Sequence, residues 1–419
     1  MIIHISEYAD KKVLILGYGG EGKSTELFLR TKYPGISIKI ADQSEGEAYL
    51  KKQNECDFVI KTPGIPKKLI TKPYTTATNI FFELVPKNQI IGVTGSKGKS
   101  TTASLIAHIL KKSGWDVRLI GNIGKPALDS ILTGYSSDTI FVYELSSYQL
   151  DDIQYSPHIS VITALFPDHI PYHGTVEKYY NAKHNLLKHA ESNDYVIYNK
   201  LYKMLTQWAH DFSGVALSPS GKNNHYQTKL IGKHNQSNIA LAVSVARLFD
   251  ISERDCHTQI QSFEPLPHRL ENIGTFRGIN FYDDAISTTP ESTIAALQSL
   301  EMVETILLGG QDRGYQFNLL AETLEKYGVN NIVLFPDAGT AIEAELAKRS
   351  SYKPKIFHTS KMREAVSIAF QNTSSGSICL LSTASPSYSI WKNFIEKGKQ
   401  FQTFVRQYAQ ENQNQETTS

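Results

Sequence analysis

The sequence has little of what marks exported or membrane-bound chains. Only three cysteines, Cys56, Cys256 and Cys379, occur in 419 residues, far apart and odd in number. That excludes a disulfide framework or a cysteine-rich metal cluster and leaves them as reduced core residues. No run approaches the roughly 18 apolar residues of a spanning helix. The opening residues, MIIHISEYADKK, carry no basic region followed by a long apolar one, so no signal peptide is expected and a cytoplasmic location is. A formal net charge of +2 gives no broad field for nucleic acid or membrane, and any anion must be held locally. With 41% hydrophobic and 20% charged residues, the composition is that of an ordinary globular protein. The length allows two to three domains.

What is present centres on residues 89–110, QIIGVTGSKGKSTTASLIAHIL. An apolar strand at 90–93 runs into Gly95, Ser96, Lys97, Gly98, Lys99, Ser100 and Thr101, and then into a helix with Leu105, Ile106, Ile109 and Leu110 on its apolar side. Gly95 and Gly98 let backbone N–H groups face phosphate oxygens, and the helix N-terminus adds its positive dipole end. Lys99 supplies a point charge for the outer phosphates, and Ser100 and Thr101 supply hydroxyls for a bridging Mg²⁺. This reads as an ATP site, against a plain lysine-rich surface turn.

The strict pattern G-x-x-x-x-G-K-[ST] is not met there, because its first glycine would fall on Val93. It is met at residues 17–24, GYGGEGKS, which also satisfy G-x-G-x-x-G through Gly17, Gly19 and Gly22. That loop follows a strand at 13–16 and precedes a helix with Leu27, Phe28 and Leu29. A second strand at 36–40 leads to Asp42, and an acidic residue about twenty positions past the glycines is the ribose-binding feature of a Rossmann unit. The first loop is therefore assigned to a nucleotide's diphosphate and ribose, the second to ATP.

Residues 1–85 read as a Rossmann-like domain, with a buried strand at 56–60 and Thr62-Pro63-Gly64 on the carboxyl edge where open α/β sheets bind ligands. Residues 86–265 read as a second α/β domain. Its strand at 117–120 leads to Gly121 and Asn122, the strand at 139–143 ends in Glu144, and the strand at 159–163 leads to Asp168 and His169. Glu144 stands where a Mg²⁺ ligand is expected, or where a carboxylate starts a helix. His169 alone would be structural, and composition gives Lys183 no role beyond a helix surface. Asn235 and Asn238 share one helix face at i, i+3. After the stiff segment 264–267, residues 266–419 read as a third α/β sheet, with strands at 279–282, 305–308, 331–335 and 377–381. The polar tail from Gln410 is expected to be disordered.

Taken in order, the loop, Glu144, His169, Lys183, the asparagine pair and His268-Arg269 make the chain resemble the Mur ligases of peptidoglycan synthesis along nearly its whole length. Within them it is most similar to the branch that adds glutamate to UDP-N-acetylmuramoyl-L-alanine. The resemblance implies an α/β protein of three domains: an N-terminal Rossmann-like domain for UDP, a central P-loop ATPase-type domain and a C-terminal Rossmann-like domain for the amino acid. It implies that Gly95 to Thr101 bind the ATP phosphates, that Asn235 and Asn238 approach the adenine, and that Arg269 and Asp284 approach phosphates and ribose. Ser100, Thr101 and Glu144 would hold one Mg²⁺, while His169 and Lys183, the latter carbamylated, would serve a second. Lys99, His169 and Lys183 would be the catalytic set. Gly20, Glu21, Asp42, Gln43, Gly64, Asn122 and His169 would contact the UDP-sugar. The implied reaction passes through an acyl phosphate, shielded from water by domain closure.

The amino-acid pocket departs from the D-glutamate pattern. Where Asp-Ser-Lys-Ala-Thr-Asn is usual, the chain reads Asp284-Ala285-Ile286-Ser287-Thr288-Thr289, so one lysine is missing. Residues 382–389 read STASPSYS, and Ala164 stands where asparagine is usual. Arg313, Thr288, Ser387, Tyr388 and Phe394 still match pocket positions, and Arg313 suits a carboxylate. The altered loops look more like the branch that adds L-glutamate and hands its product to a separate epimerase, so L-glutamate is slightly favoured and D-glutamate is the alternative. Competing readings are a folylpolyglutamate synthetase-like ligase, a nicotinamide-dependent oxidoreductase and a non-catalytic ATP-binding regulator.

Overall fold

A computed structural model describes residues 11–219, 226–232 and 234–416. The segment read for a signal sequence lies almost wholly outside these residues, as do the last three of the tail. The described chain forms three sheets. The first contains β1 (Lys12–Leu16), β2 (Ser37–Ala41), β3 (Phe58–Lys61) and β4 (Tyr74–Thr75) in the order β2-β1-β3-β4, all parallel. Val13, Leu14, Ile15 and Leu16 are all fully buried. This is how a parallel strand covered on both faces reads in sequence, as an unbroken apolar run.

The second sheet contains β5 (Ile90–Thr94), β6 (Val117–Gly121), β7 (Ile140–Glu144), β8 (Ile159–Ile162), β9 (Tyr195–Tyr198) and β10 (Val215–Leu217), in the order β10-β9-β8-β5-β7-β6 and all parallel. The chain leaves β5 towards β6 and leaves the adjacent β8 towards β9. The carboxyl ends of β5 and β8 therefore flank a switch point, where open sheets place ligands. In the first sheet β1 and β3 stand in the same relation.

The third sheet contains β11 (Glu271–Phe276), β12 (Ile279–Asp283), β13 (Val303–Gly310), β14 (Asn331–Asp337), β15 (Lys355–His358) and β16 (Ile378–Leu381), in the order β11-β12-β16-β13-β14-β15. Only β11 runs antiparallel, as an edge hairpin with β12. Alternate residues serve two cores: Ile306, Leu308, Ile332 and Leu334 face one layer, and Leu307, Val333 and Phe335 the other.

By internal packing the chain forms two compact units. One holds the first two sheets and the helices through Phe263; the other holds the third sheet and a short stretch from Lys229. Within the first unit, one apolar cluster runs from Val13, Phe28 and Phe58 through Phe81 to Phe141 and Tyr143, so its two sheets share a core. The ring of Phe81 packs edge-on against Phe141 at 5.2 Å and Tyr143 at 5.3 Å.

The expectation of a disordered tail from Gln410 is corrected: the helix Phe394–Glu416 continues through it. Phe401, Val405 and Ala409 recur at four-residue spacing on its buried side, and Phe404 and Tyr408 widen the stripe. The last polar turns propagate from that anchored segment. All three cysteines are buried and free, as expected. Among the described residues no helix is long and apolar enough to cross a membrane.

Candidate active site

β5 delivers the chain to the phosphate loop at the switch point. Gly95 (φ 150°) and Gly98 (φ 87°) take backbone conformations that glycine alone adopts easily. A side chain on Gly95 would strike Thr163 Oγ1 at 2.1 Å, and one on Gly98 would strike Asn238 Oδ1 at 2.4 Å. Asn238 thus packs directly on the loop. It donates through Nδ2 to Asn235 Oδ1 at 2.9 Å, so the asparagine face of the helix His234–Arg247 is turned to the phosphate loop.

Ser96 is committed to the scaffold. Its N–H donates to Ala164 O at 2.7 Å, and its hydroxyl donates to Phe166 O at 2.7 Å while accepting from Tyr179 Oη at 2.9 Å. Lys97 points to solvent, and Thr101 is buried in the first turn of the helix Lys99–Lys112.

Three chemically useful groups converge on this loop. Lys99 Nζ folds back to the carbonyls of Gly95 at 3.0 Å and Ser96 at 3.1 Å. Ser100 Oγ donates to Glu144 Oε1 at 3.1 Å, joining the helix start to the end of β7. This pair of hard oxygen donors, one from a buried carboxylate, fits Mg²⁺.

The third group is Lys183. The surface reading of this residue is corrected, since it is 1% exposed and its amine lies 2.8 Å from Gly95 O, the carbonyl that also takes Lys99. Burial, and then the neighbouring Lys99 charge, push its amine well below the ordinary lysine range. His169 sits in the left-handed region (φ 53°), with Nδ1 at 3.1 Å from Tyr148 Oη. Burial and the amines of Lys99 and Lys183 lower its imidazole against the opposing pull of Asp168, which favours the neutral, metal-binding form.

The sequence reading missed the aromatic cluster beneath His169. Tyr148 stacks on His173 at 5.7 Å and meets Tyr172 edge-on at 4.4 Å, and His173 Nε2 lies 3.0 Å from Ser147 Oγ. One signal was available: Ser146 and Gln149 form a capping box, which starts a helix immediately after Glu144.

The glycine loop of the first sheet is built by close approach. A side chain on Gly17 would meet Thr62 Oγ1 at 1.9 Å, and one on Gly22 would meet Gly17 O at 2.2 Å. Asp42 accepts from Tyr18 N at 2.6 Å and from Ser44 N and Oγ, bonds that hold its carboxyl below the usual range. Its oxygens fasten the loop to the end of β2. Gly20, Gln43, Gly64 and Asn122 are exposed at the carboxyl edges of their sheets. Glu21 is partly buried in the first turn of the helix Gly20–Lys32 and accepts from Gln149 Nε2 at 3.2 Å. Gln149 therefore ties the glycine loop of the first sheet to the helix that follows Glu144.

In the second unit, the loops after β12, β13 and β16 leave the same carboxyl edge of three adjacent strands. Asp284 is buried and accepts from Leu270 N at 3.2 Å and Ser382 Oγ at 2.8 Å, and burial pushes its carboxyl up to about 6. Arg269 beside it has a buried Nε with no hydrogen-bond partner among the described residues. Thr288 precedes the N-cap Thr289 and Pro290, which start the next helix. Arg313 is exposed, bonds Gln311 Oε1 at 3.0 Å and lies 5.9 Å from the ring of Tyr388. Ser387 is buried and its hydroxyl has no hydrogen-bond partner among the described residues, and Phe394 packs 6.3 Å from His268. The structure thus gathers Arg313, Tyr388 and Ser387 along one edge.

A phosphate loop at the switch point of a parallel sheet, with a serine–carboxylate pair and a buried lysine behind it, defines a phosphate-loop nucleotide-binding α/β protein. Residues 93–216 match the family described as Mur ligase middle domain, and residues 268–384 match Mur ligase, glutamate ligase domain. A UDP-N-acetylmuramoylalanine--D-glutamate ligase of Streptococcus agalactiae serotype Ia is 30% identical over 95% of this chain and 97% of its own. A UDP-N-acetylmuramoyl-L-alanine--L-glutamate ligase of Salinispora tropica is 29% identical over 97% of this chain and all of its own, 100%. Among solved structures, the UDP-N-acetylmuramate-alanine ligase of Thermotoga maritima matches with a TM-score of 0.64 at 18% identity, covering 96% of this chain and 100% of that one. The chain belongs to the Mur ligases, a family of ATP-dependent amide ligases.

Proposed function

We propose that this protein joins glutamate to UDP-N-acetylmuramoyl-L-alanine, with L-glutamate as the incoming amino acid. The observation that carries the ligase reading is the convergence of Lys99, the Ser100–Glu144 pair and Lys183 on a single phosphate loop. In this reading residues 1–85 take the UDP-sugar, 86–265 take ATP and 266–419 take the amino acid. Lys99 binds the outer phosphates, and the loop N–H groups and helix dipole orient them. The alanyl carboxylate attacks the γ-phosphorus and ADP leaves. The acyl phosphate then loses phosphate to the attacking amine, giving the amide. Arg313 holds a glutamate carboxylate, and Thr288, Ser387 and Phe394 shape its pocket.

Ser100, Thr101, Glu144, His169 and Lys183 are the groups that would hold Mg²⁺, which when bound offsets charge on the transferring phosphoryl group. Lys183 is proposed to act as a carbamate. An uncharged amine is the form that adds CO₂ with loss of a proton, and its depressed basicity supports that form. Hydroxylamine trapping tests the pathway. A hydroxamate of UDP-N-acetylmuramoyl-L-alanine is expected with ATP and without glutamate, and none from Lys183→Met. ATP turnover by the parent with no hydroxamate would overturn the acyl phosphate.

L-Glutamate is favoured by Ile286 in place of a lysine and by the sequence of residues 382–389. Its product would need a separate epimerase. The D-glutamate reading is supported by the names of most of the similar ligases.

A further inference from the structure

Lys397 is a fully buried lysine (0% exposed) in the second unit, and nothing in the ligase reading uses it. Its amine donates to the hydroxyl of Thr383 and lies 5.7 Å from the centre of the Trp391 ring. Asp283 and Asp284 are the carboxylates that face it, and both are engaged elsewhere: Asp283 by His268 and Gln402, Asp284 by Leu270 N and Ser382. Burial pushes the amine down to about 7. Placing an amine there is expensive, and a methionine of similar volume would cost the fold less.

The residue it touches is a junction. Thr383 Oγ1 lies 3.1 Å from Ser385 O and 3.4 Å from Ser287 O, and Thr383 O accepts from Gly309 N at 2.8 Å. Gln311 N donates to Pro386 O at 2.8 Å, closing the ring of contacts. The loops after β12, β13 and β16 therefore meet at Thr383, and each carries one of the pocket residues Thr288, Arg313 and Ser387. The hydroxyls of Ser385 and Ser387 are buried on this junction and have no hydrogen-bond partner among the described residues, which leaves them able to bond a ligand.

We propose that Lys397 is a positioning residue for the amino-acid substrate: by fixing the Thr383 hydroxyl it locks the three loops in the register that presents Thr288, Arg313 and Ser387 together. The proposal rests on the reading that this unit takes the amino acid. Lys397 touches no reactant and works through Thr383 alone. Its importance follows from preorganisation, since loose loops must be ordered at the expense of binding.

The test compares Lys397→Met and Thr383→Val, singly and together, in the full chain. The expected result is a KM for glutamate raised about ten- to hundredfold, the range for a lost hydrogen bond to a charged donor. The KM values for ATP and UDP-N-acetylmuramoyl-L-alanine should hold, and kcat should change far less than the glutamate KM. The double variant should be no worse than the poorer single, because both break one link. Lys397→Arg, which keeps a donor, should stay close to the parent.

Melting temperature for Lys397→Met should not fall. A merely structural lysine would lower it and spread the kinetic loss over all three substrates, which would overturn the proposal. Hydrogen exchange reads the same lock without the reaction. Faster exchange at 285–289 and 383–388 in Lys397→Met supports it, even were the parent to prove indifferent to glutamate. Unchanged exchange in both loops contradicts it.

Discussion

At the scale of single residues, the groups that matter most are those whose surroundings contradict their chemistry. Lys183 lies on a helix, VEKYYNAKH, whose buried residues are Tyr179, Ala182 and the lysine itself. Hydrophobic patterning cannot place a lysine on a buried face, so only the family resemblance, and not the residue pattern, pointed to this lysine. Patterning is equally silent on Lys397 among the apolar residues of the last helix. By contrast, Ser100 and Glu144 were legible, because a loop motif fixes one and the end of an apolar strand fixes the other. Glu21 gives a pH test. Burial pushes its carboxyl up to about 7, against the pull of Gln149 and Lys61. A carboxyl raised on folding contributes stability that is full below the ordinary carboxylate range and is lost as pH rises through about 7. Glu21→Gln, which holds the neutral form at every pH, should therefore raise the melting temperature at pH 8 and leave it nearly unchanged at pH 4. Equal shifts at both values would show that burial does not set this carboxyl.

At the scale of elements, both glycine loops were readable because backbone geometry constrains them tightly. Gly98→Ala is expected to weaken ATP binding by more than tenfold in calorimetry while costing the fold only about 1–2 kcal/mol, the penalty of a left-handed alanine. The added methyl would also displace Asn238, so unchanged ATP affinity would mean that the asparagine face does not serve the nucleotide. Apart from β9, which pairs on both sides in the second sheet, the central strands of all three sheets read clearly as apolar runs. The strands missed were β4, β9, β10, β11 and β15. β4 has two residues and β10 three, while β11 and β15 are half-exposed edges of the third sheet. Such strands owe their form to the neighbour they pair with, which local sequence does not report. The polar tail from Gln410 read as disordered for a related reason: its helical form follows from the anchored turns before it.

At the scale of the molecule, the first two sheets fold as one unit although each carries its own nucleotide-type loop. Beyond the shared core, a buried ion pair joins them: Lys61 at the end of β3 and Asp152 after β7 are 2.5 Å apart and almost wholly inaccessible. Tyr74 Oη adds a bond to Asp152 at 2.9 Å, and Asn79 Nδ2 adds one to its carbonyl at 2.9 Å. Lys61→Met should destabilise the unit by about 3–5 kcal/mol in urea unfolding, because Asp152 would be left as an uncompensated buried charge. Removing both charges with Lys61→Met and Asp152→Leu should recover most of that loss. A double variant as unstable as the single would mean that the pair is not what joins the sheets.

The central claim is that ATP cleavage by this chain is coupled to joining glutamate to a UDP-sugar carboxylate. Phosphate release by the purified protein with ATP, Mg²⁺ and UDP-N-acetylmuramoyl-L-alanine, with L- and D-glutamate in separate reactions, tests it most directly. The account predicts release only when all the substrates are present, and with L-glutamate in preference to D-glutamate. Release with D-glutamate alone would correct the stereochemistry while keeping the ligase. Phosphate release indifferent to the UDP-sugar and to both forms of glutamate would contradict the claim itself.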